Sequence, residues 1–333
     1  MKNDLIVTLA DSNYFDQARQ VLSSAYHNSG WKGDYMVLAI KMNKGQKEWF
    51  EGKGIIVNEI DDISDKDLPH HPTTVLGKFA LFGPGMDRWN RIIYLDADTS
   101  VTASLDHMLD LKGFWAAVDF HEMKLLGQFK TPGEFGNAQQ EGREYDTLRS
   151  NYDLTTVTFN SGVMAFDGEM TGEAQYDRLM DLYERYKTIT LHDQSTLNLL
   201  FYDRWNRLPL AFNNYFLYRR NRRSIRFHKC DGIVNHYILD RIWKTGNKDY
   251  FPVWKKYLEL SESMDLDRRP GPSETWDEIR IEKVSRELEM SSIRKDTLGG
   301  KVLLAATAMD RAFGKVGEMI KARSPRIYKM IRG

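Results

Sequence analysis

Short apolar runs alternate with helix-like segments through the first part of the sequence, and this alternation limits the folds that the chain can adopt. Leu5 to Ala10, Tyr35 to Ile40 and Gly54 to Ile60 are apolar and partly β-branched, as buried strands are. Between them, Tyr14 to Ser29 has apolar residues at helical spacing, and the stretch around Gln46 to Glu51 is helix-like. The pattern predicts an α/β fold with a mostly parallel central sheet flanked by helices.

The middle of the chain continues this pattern. We predict further strands at Arg91 to Leu95, Phe114 to Val118 and Thr156 to Phe166, and helices at Leu76 to Phe82, Glu173 to Tyr186 and Asp193 to Tyr202. Gly127 to Asp153 is polar, contains glycine and is weakly periodic. A substrate-covering loop and a disordered excursion are equally compatible with such a segment.

A pair of aspartates follows one of the predicted strands, in the segment from Ile92 to Val101 that reads IIYLDADTSV. Ligands of open α/β sheets bind at the carboxyl ends of strands. In extended backbone, residues two apart point to the same side at roughly 6 to 7 Å, so Asp96 and Asp98 can face one ligand. Carboxylate oxygens suit Mg²⁺ or Mn²⁺, and the alternative is a surface turn with solvated acids.

Three other segments carry polar residues beside apolar runs. Phe159 to Phe166 reads FNSGVMAF; its small residues would allow a close backbone approach to a ligand, but a simple turn into a strand explains them as well. Asp193 precedes a helical pattern, either as an N-cap or as a carboxylate aimed at a cleft. His236 ends a short apolar run and either completes a metal site or has a structural role.

Taken in order along the chain, these pieces resemble the glycogenin-like family 8 retaining glycosyltransferases over about Leu5 to Lys244. The matching motifs are Thr8-Leu9 with Tyr14, Lys78, Asp96-Ala97-Asp98-Thr99, Ala116-Ala117-Val118-Asp119, Phe159-Asn160-Ser161-Gly162-Val163, Asp193-Gln194 with Leu197-Asn198, and His236. The resemblance implies a GT-A fold, which is a Rossmann-like nucleotide-diphospho-sugar transferase fold. It also implies a UDP-linked donor and Mn²⁺, with Mg²⁺ as the second choice.

The resemblance also implies roles for individual residues. Asp98 and His236 match metal ligands, and Asp96 matches a residue that bridges metal and ribose. The residues that match the uridine site are Thr8, Asp11 and Tyr14, and those that match the donor-sugar site are Lys78, Asp119, Asn160 and Ser161. Asp193 and Gln194 match positions beneath the anomeric carbon. Asn213 matches a residue on the acceptor side. Asp193, Gln194 and Asp119 are the candidates for the reaction centre.

The sequence departs from the family after His236. The family commonly follows this histidine with glycine and then Lys-Pro-Trp, whereas the chain here continues Tyr-Ile-Leu-Asp-Arg-Ile-Trp-Lys. Lys244 or Arg241 would then supply the cation that binds the diphosphate. We assign Lys244 to the donor site and keep Arg241 as the alternative.

The activity implied is retaining transfer of a hexose, glucose or galactose, from a UDP-sugar to a glycan, lipid-linked or protein acceptor. Retention can follow a front-face route or a double displacement with Asp193 as nucleophile, and the sequence leaves both open. One alternative is a non-catalytic nucleotide-sugar-binding protein, because the segment after His236 is altered. Another is a haloacid dehalogenase-type phosphatase, although Ser100 stands where its motif needs Thr or Val.

Composition restricts the partners and the compartment. With 41% hydrophobic and 28% charged residues and a formal net charge of zero, the chain is typical of a globular protein, and no nucleic acid partner is expected. Its single cysteine, Cys230, excludes an intrachain disulfide. Because no leader-like or membrane-spanning apolar run is visible either, we expect a cytoplasmic protein.

The last part of the chain is predicted to be separate from the α/β unit. We assign residues 1–267 to the catalytic domain and 268–333 to a helical, basic, amphipathic extension, with a linker at Arg268 to Pro272 and helices at Glu274 to Met290 and Gly299 to Ala322. The extension could dock on the domain, pair with another chain, or lie on an anionic membrane at the inner membrane face. An arginine-rich segment, Tyr218 to Phe227, suits phosphates or acidic sugars, or is a solvated loop.

Overall fold

A computed structural model describes residues 2–61, 73–119, 123–129, 138–186, 189–215, 231–238 and 241–292 of the 333-residue chain. The strands are β1 (Leu5–Asp11), β2 (Asp34–Ile40), β3 (Ile56–Glu59), β4 (Arg91–Leu95), β5 (Thr99–Val101), β6 (Phe114–Val118), β7 (Phe159–Asp167), β8 (Trp205–Arg207) and β9 (Val234–His236). The helices are α1 (Phe15–Asn28), α2 (Lys44–Gly52), α3 (Ala138–Asn151), α4 (Glu173–Arg185), α5 (His192–Leu200), α6 (Ile242–Thr245), α7 (Phe251–Leu260) and α8 (Glu278–Ser292).

Seven strands form the central sheet in the order β3-β2-β1-β4-β7-β6-β8, and β5 and β9 form a separate two-stranded sheet. The pairs β1–β2, β2–β3, β1–β4 and β6–β8 are parallel, as predicted. Strand β7 runs antiparallel to both of its neighbours, β4 and β6. The carboxyl end of β4 therefore meets the amino end of β7, and both can contribute residues to one site.

Both faces of the sheet are buried, which explains why its strands read as continuous apolar runs. Leu5 and Val7 of β1 belong to one core cluster, and Ile6 between them belongs to a second cluster on the other face. The same division holds on β4, where Ile92 packs in the first cluster and Ile93 in the second. Alternate side chains of a strand point to opposite faces, so each strand anchors two cores.

Two helical segments differ from the sequence predictions. Leu76 to Phe82, predicted as a helix, lies in a 3-10 helix, Thr73–Phe82. Gly127 to Asp153, predicted as a covering loop or a disordered excursion, contains α3, and Leu148 of that helix is fully buried. Few apolar residues of α3 recur at helical spacing, so the sequence pattern does not predict this helix.

The end of the predicted linker and residues after it pack against the α/β unit. Ser29 forms an isolated β-bridge with Pro272, and Ser104 N donates to Glu274 O at 2.7 Å. Trp276 and Ile281 are buried in the second core cluster. The division at residue 268 stays a prediction of domain organisation; Gly299 to Ala322 and the arginine-rich segment lie outside the described residues.

Candidate active site

The aspartate pair lies at the carboxyl end of β4, facing a cavity of about 630 Å³. Asp96 N donates to Gly162 O at 2.8 Å, and Thr99 N donates to Asp96 O at 3.1 Å, so the pair lies in a tight turn rather than in extended backbone. The side chains of Asp96 and Asp98 are each about a quarter exposed, at 26% and 25%. This partial exposure leaves carboxylate oxygens available to a ligand in the cavity.

The short sheet brings His236 to these aspartates. Thr99 of β5 lies opposite His236 of β9, and Tyr237 N donates to Asp98 O at 2.8 Å. The buried imidazole places its Nε2 atom 3.2 Å from Asp98 Oδ1 and 3.8 Å from Asp96 Oδ2. The three residues predicted as metal ligands therefore meet in space.

The donor set of this group fits a divalent cation. One ligand atom from each of Asp96, Asp98 and His236 lies within 4.8 Å of the others, giving two carboxylate oxygens and one imidazole nitrogen. Burial acts to raise the pKa of Asp98, but the His236 ring outweighs it and the pKa of Asp98 is lowered. Oxygen donors with one imidazole suit Mn²⁺, and Mg²⁺ less well because it prefers oxygen alone. The triad can therefore hold the cation that the sequence predicted.

Gly162 of β7 makes room for the histidine ring. A Cβ atom at this position would lie 2.1 Å from His236 Cε1 and 2.7 Å from His236 Nδ1. No side chain can occupy that space while the ring keeps its place. The turn interpretation of FNSG was wrong, because Phe159–Asp167 is continuous strand, and its glycine serves a close side-chain approach.

Beside the triad, a buried lysine joins two carboxylates. Lys78 Nζ lies 3.1 Å from Asp96 Oδ1 and 2.7 Å from Asp193 Oδ2. The lysine also donates to Ser161 Oγ at 3.2 Å, and that hydroxyl donates to Asp193 Oδ2 at 3.2 Å. Burial acts to lower the pKa of Lys78, but Asp193 and Asp96 outweigh it, so the pKa is raised and the side chain is cationic. The lysine thus links the triad to the predicted reaction centre.

Side-chain amides continue this network to Asp119. Gln194 Nε2 donates to Asp119 Oδ2 at 2.8 Å, while Gln194 Oε1 accepts from Ser161 N at 3.0 Å and from Asn160 Nδ2 at 3.2 Å. Asp119, Asn160, Ser161, Asp193 and Gln194 all line the cavity. Five of the residues predicted for the donor sugar and the anomeric carbon therefore share one wall.

The predicted uridine residues are only partly at the cavity. Asp11 and Tyr14 line it, and Asp11 Oδ1 accepts from Asn13 N at 2.9 Å and from Tyr14 N at 3.0 Å, which shapes the turn that presents the tyrosine. Burial raises the pKa of Tyr14. Thr8 is fully buried within β1 and lies outside the cavity lining.

Of the two candidate cations, one lies at the cavity and the other does not, and Asn213 also lies outside the cavity lining. Arg241 lines the cavity, whereas Lys244 is exposed on α6 and lies outside the lining. Asn213, predicted on the acceptor side, is fully buried behind His236 and is likewise outside the lining. Its Oδ1 atom lies 2.9 Å from His236 Nδ1.

Tyr94 and His192 are among the cavity residues that sequence reasoning missed. The Tyr94 hydroxyl donates to Asp96 Oδ1, and burial followed by the Asp96 charge raises the pKa of Tyr94. Tyr94 lies on β4, two residues before Asp96, and this spacing predicts that the two side chains lie on the same side of the strand. His192 precedes Asp193 with a φ of 48°, in the left-handed region that side chains rarely adopt.

A GT-A nucleotide-diphospho-sugar transferase fold is the class that this sheet order and site define. A sequence model described as Glycosyl transferase family 8 matches residues 6–241. The chain belongs to that family, and the resemblance seen in the sequence is confirmed. Membership removes the haloacid dehalogenase alternative.

Individual relatives agree with this assignment. The glycosyltransferase GlyB of Streptococcus pneumoniae serotype 4 is 26% identical over 229 residues, which is 64% of this chain and 48% of GlyB, so the chain spans about half the length of that relative. The bifunctional glycosyltransferase WbbM has a TM-score of 0.54 at 17% identity, covering 80% of this chain and 52% of WbbM. Galactosyltransferase LgtC, solved with donor and acceptor sugar analogues, has a TM-score of 0.50 at 18% identity, covering 83% of this chain and 99% of LgtC.

The helices of the described segments give no sign of a membrane span. Within the parts of the chain that the structure describes, none is both long and apolar enough to cross a bilayer.

Proposed function

We propose that the protein is a metal-dependent retaining glycosyltransferase that moves a hexose, glucose or galactose, from a UDP-sugar to a glycan, lipid-linked or protein acceptor. The observation that carries the proposal is that the triad of Asp96, Asp98 and His236 shares one cavity with the buried Lys78–Asp193 pair. One half suits a diphosphate with its cation, and the other half suits a sugar.

The triad is the proposed place of Mn²⁺ or Mg²⁺. A divalent cation there supplies Lewis-acid stabilisation of the charge that develops on the leaving diphosphate. Tyr94 and Lys78 both contact Asp96 Oδ1, so this carboxylate is oriented before any ligand arrives. A carboxylate that is already oriented loses little conformational freedom on binding.

The other half of the cavity is the proposed reaction centre. Asp193 Oδ2 accepts one charge-assisted hydrogen bond from Lys78 and a further bond from Ser161, and this partial neutralisation of the carboxylate charge reduces its strength as a nucleophile. We therefore favour the front-face route, in which Asp193 stabilises positive charge at the anomeric carbon. Gln194, held by Asp119 and Ser161 N, presents its amide beside that carbon.

We assign the diphosphate-binding cation to Arg241, because it lines the cavity and Lys244 does not. Arg241→Ala should raise the KM for the donor about tenfold or more, the usual effect of losing a hydrogen bond to a charged group. Lys244→Ala, a matched loss of charge three residues away, should leave that KM unchanged. Equal effects of the two substitutions would contradict the assignment.

The location proposals rest on sequence alone. The extension, residues 268–333, has more Lys and Arg than Asp and Glu toward its end, and such a segment is attracted to anionic lipid. Together with the single cysteine, this supports a cytoplasmic protein with contact at the inner membrane face. Cosedimentation with anionic but not neutral vesicles tests the contact.

The activity is tested by hydrolysis of UDP-glucose and UDP-galactose by the purified protein, with Mn²⁺, with Mg²⁺ and with chelator. We expect turnover of at least one donor that requires the cation, followed by transfer when acceptors are screened. Binding without turnover would identify a non-catalytic nucleotide-sugar-binding protein instead. Neither binding nor turnover of any nucleotide sugar would refute the proposal.

A further inference from the structure

Asn213 lies outside the cavity lining, in the buried layer beside His236. It was predicted on the acceptor side, yet it is fully buried, and its side chain lies between His236 and Asn160. His236 Nδ1 and Asn213 Oδ1 are 2.9 Å apart, and Asn213 Nδ2 donates to Asn160 Oδ1 at 2.8 Å. Asn213 thus contacts the triad and the amide network at the same time.

Backbone donors fix the orientation of the Asn160 and Gln194 amides, and Asn160 in turn fixes that of Asn213. Gly162 N donates to Asn160 Oδ1 at 3.0 Å, so the oxygen of Asn160 faces inward and its Nδ2 atom faces Gln194 Oε1. Ser161 N donates to the same Gln194 oxygen at 3.0 Å, which fixes Gln194 in the same way. Since Asn160 Oδ1 is an acceptor, Asn213 must turn its NH₂ group toward it and its own oxygen toward His236.

The orientation of Asn213 decides which nitrogen of His236 carries a proton. An amide oxygen only accepts, so the Nδ1 atom that faces it must be the donor. In the neutral ring the lone pair then belongs to Nε2, the nitrogen that faces Asp98 and Asp96. A hydrogen bond from the second ring nitrogen of a metal-binding histidine commonly orients the ring in this manner.

We infer that Asn213 is a positioning residue that holds His236 in the Nδ1–H tautomer and so presents Nε2 to a divalent cation. It acts through His236 and touches neither substrate nor cation. The inference rests on the proposed function, because it assumes that the triad binds a metal. The same side chain also braces Asn160, and through it Gln194, so one buried amide orients both halves of the cavity.

Mn²⁺ affinity, measured by electron paramagnetic resonance of the unbound ion without any sugar, tests the inference. We expect Asn213→Ala to weaken Mn²⁺ binding about 10- to 100-fold, as outer-shell changes commonly do. Asn214→Ala is the matched control: this neighbour is equally buried, but its side chain donates to Asn235 Oδ1 at 3.0 Å. Its Mn²⁺ affinity should stay within a few fold of wild type.

A conservative variant separates orientation of the ring from packing. Asn213→Asp keeps an acceptor for His236 Nδ1 but removes the donor to Asn160. Asn213→Asp should be less stable to heat than Asn213→Ala, because it buries a charge. It should nevertheless bind Mn²⁺ more tightly than Asn213→Ala, because His236 Nδ1 keeps its acceptor. If Asn213 has only a structural role, the variant that is less stable to heat should also bind Mn²⁺ more weakly. That result would overturn the inference.

A double substitution tests whether Asn213 acts through His236. If Asn213 acts through the histidine, Asn213→Ala should cause no further loss of Mn²⁺ affinity in a His236→Ala background. An additive loss contradicts the inference. Absence of Mn²⁺ binding to the wild-type protein would instead contradict the metal dependence in the proposed function, so the two failures are distinguishable.

Discussion

The two halves of the cavity differ in how far their charges are satisfied. In the reaction-centre half, the Asp193 carboxylate is buried against the Lys78 cation and the Ser161 hydroxyl. The proposed metal half is formed by the triad of Asp96, Asp98 and His236. There, Asp98 faces the His236 imidazole, and a quarter of its side chain is exposed. Lys78 contacts Asp96 but Asp193 shares its charge, so the two close carboxylates of this half are only partly balanced, and we expect a cation from solution to complete it.

This difference indicates that the halves have separate tasks. The reaction-centre half is organised by the protein alone, so substitutions there should reduce folding stability as well as activity. The proposed metal half depends on a bound cation to balance its carboxylates. Substitutions there should therefore reduce activity while the folding stability of the metal-free protein changes little.

The largest effect is expected from Asp98→Asn, which removes a charged ligand from the triad. Turnover with Mn²⁺ should fall about 10³-fold, at the upper end of what one electrostatic contact contributes to catalysis. The thermal melt of the metal-free protein should stay close to wild type, because asparagine keeps the size and shape of the side chain. Asp106→Asn, the same change at an exposed position outside the cavity, should alter neither quantity. Surviving activity in Asp98→Asn would show that the metal assignment is wrong.

Lys78→Met tests the opposite half by leaving Asp193 buried without its cation. The free energy of unfolding should fall by about 3 to 5 kcal/mol, the usual cost of breaking a buried ion pair, as measured by denaturant titration. The pKa of Lys78 is raised above its ordinary value of 10.5, so its contribution is present below that pH and is lost only as the pH rises through the folded-state pKa. The loss in the variant should therefore appear at pH 7 and at pH 9. A change below 1 kcal/mol would remove the contrast between the halves.

Gly162→Ala should disturb the metal half through shape alone. The added Cβ would meet the His236 ring, so the ring must move, and Mn²⁺ affinity should fall about 10- to 100-fold. Gly142→Ala is the matched control, because nothing lies within 4 Å of a Cβ at that position of α3. It should leave Mn²⁺ affinity unchanged and raise stability by about 0.5 to 1 kcal/mol. Equal Mn²⁺ affinity in both variants would mean that the ring does not need this space.

The smallest effect concerns backbone strain in the reaction-centre half. His192 has a φ of 48°, which costs a residue with a side chain about 1 to 2 kcal/mol and costs glycine little. His192→Gly should therefore be more stable than His192→Ala by about 1 kcal/mol in the free energy of unfolding. Lower stability of the glycine variant would place the strain elsewhere.

Local patterns were sufficient to predict most elements of the sheet and the position of Asp96 and Asp98. An apolar strand that stops at an acidic pair is visible within ten residues of sequence, because burial and strand period are local properties. Strand direction is not local. Nothing within Phe159 to Asp167 shows that β7 runs antiparallel to β4, and α3 was missed because it buries little apolar surface.

The cavity residues divide in the same way. Motif order along the chain led to Lys78, Asp193 and Gln194, and the structure places them together with Asn160 and Ser161. Motif order could not show that Asn213 lies behind His236, or that Gly162 serves the ring rather than a turn. Both facts depend on the pairing of β5 with β9, which joins segments far apart in sequence.

The pairing of β5 with β9 also sets the time at which the proposed metal site can form during synthesis. Asp96 and Asp98 leave the ribosome well before His236, so the nascent chain first carries two carboxylates without their imidazole. Contacts between distant segments form slowly, because loop closure costs entropy before the contact is made. We therefore expect a cation to join a domain whose seven-stranded sheet already exists, rather than to nucleate its folding.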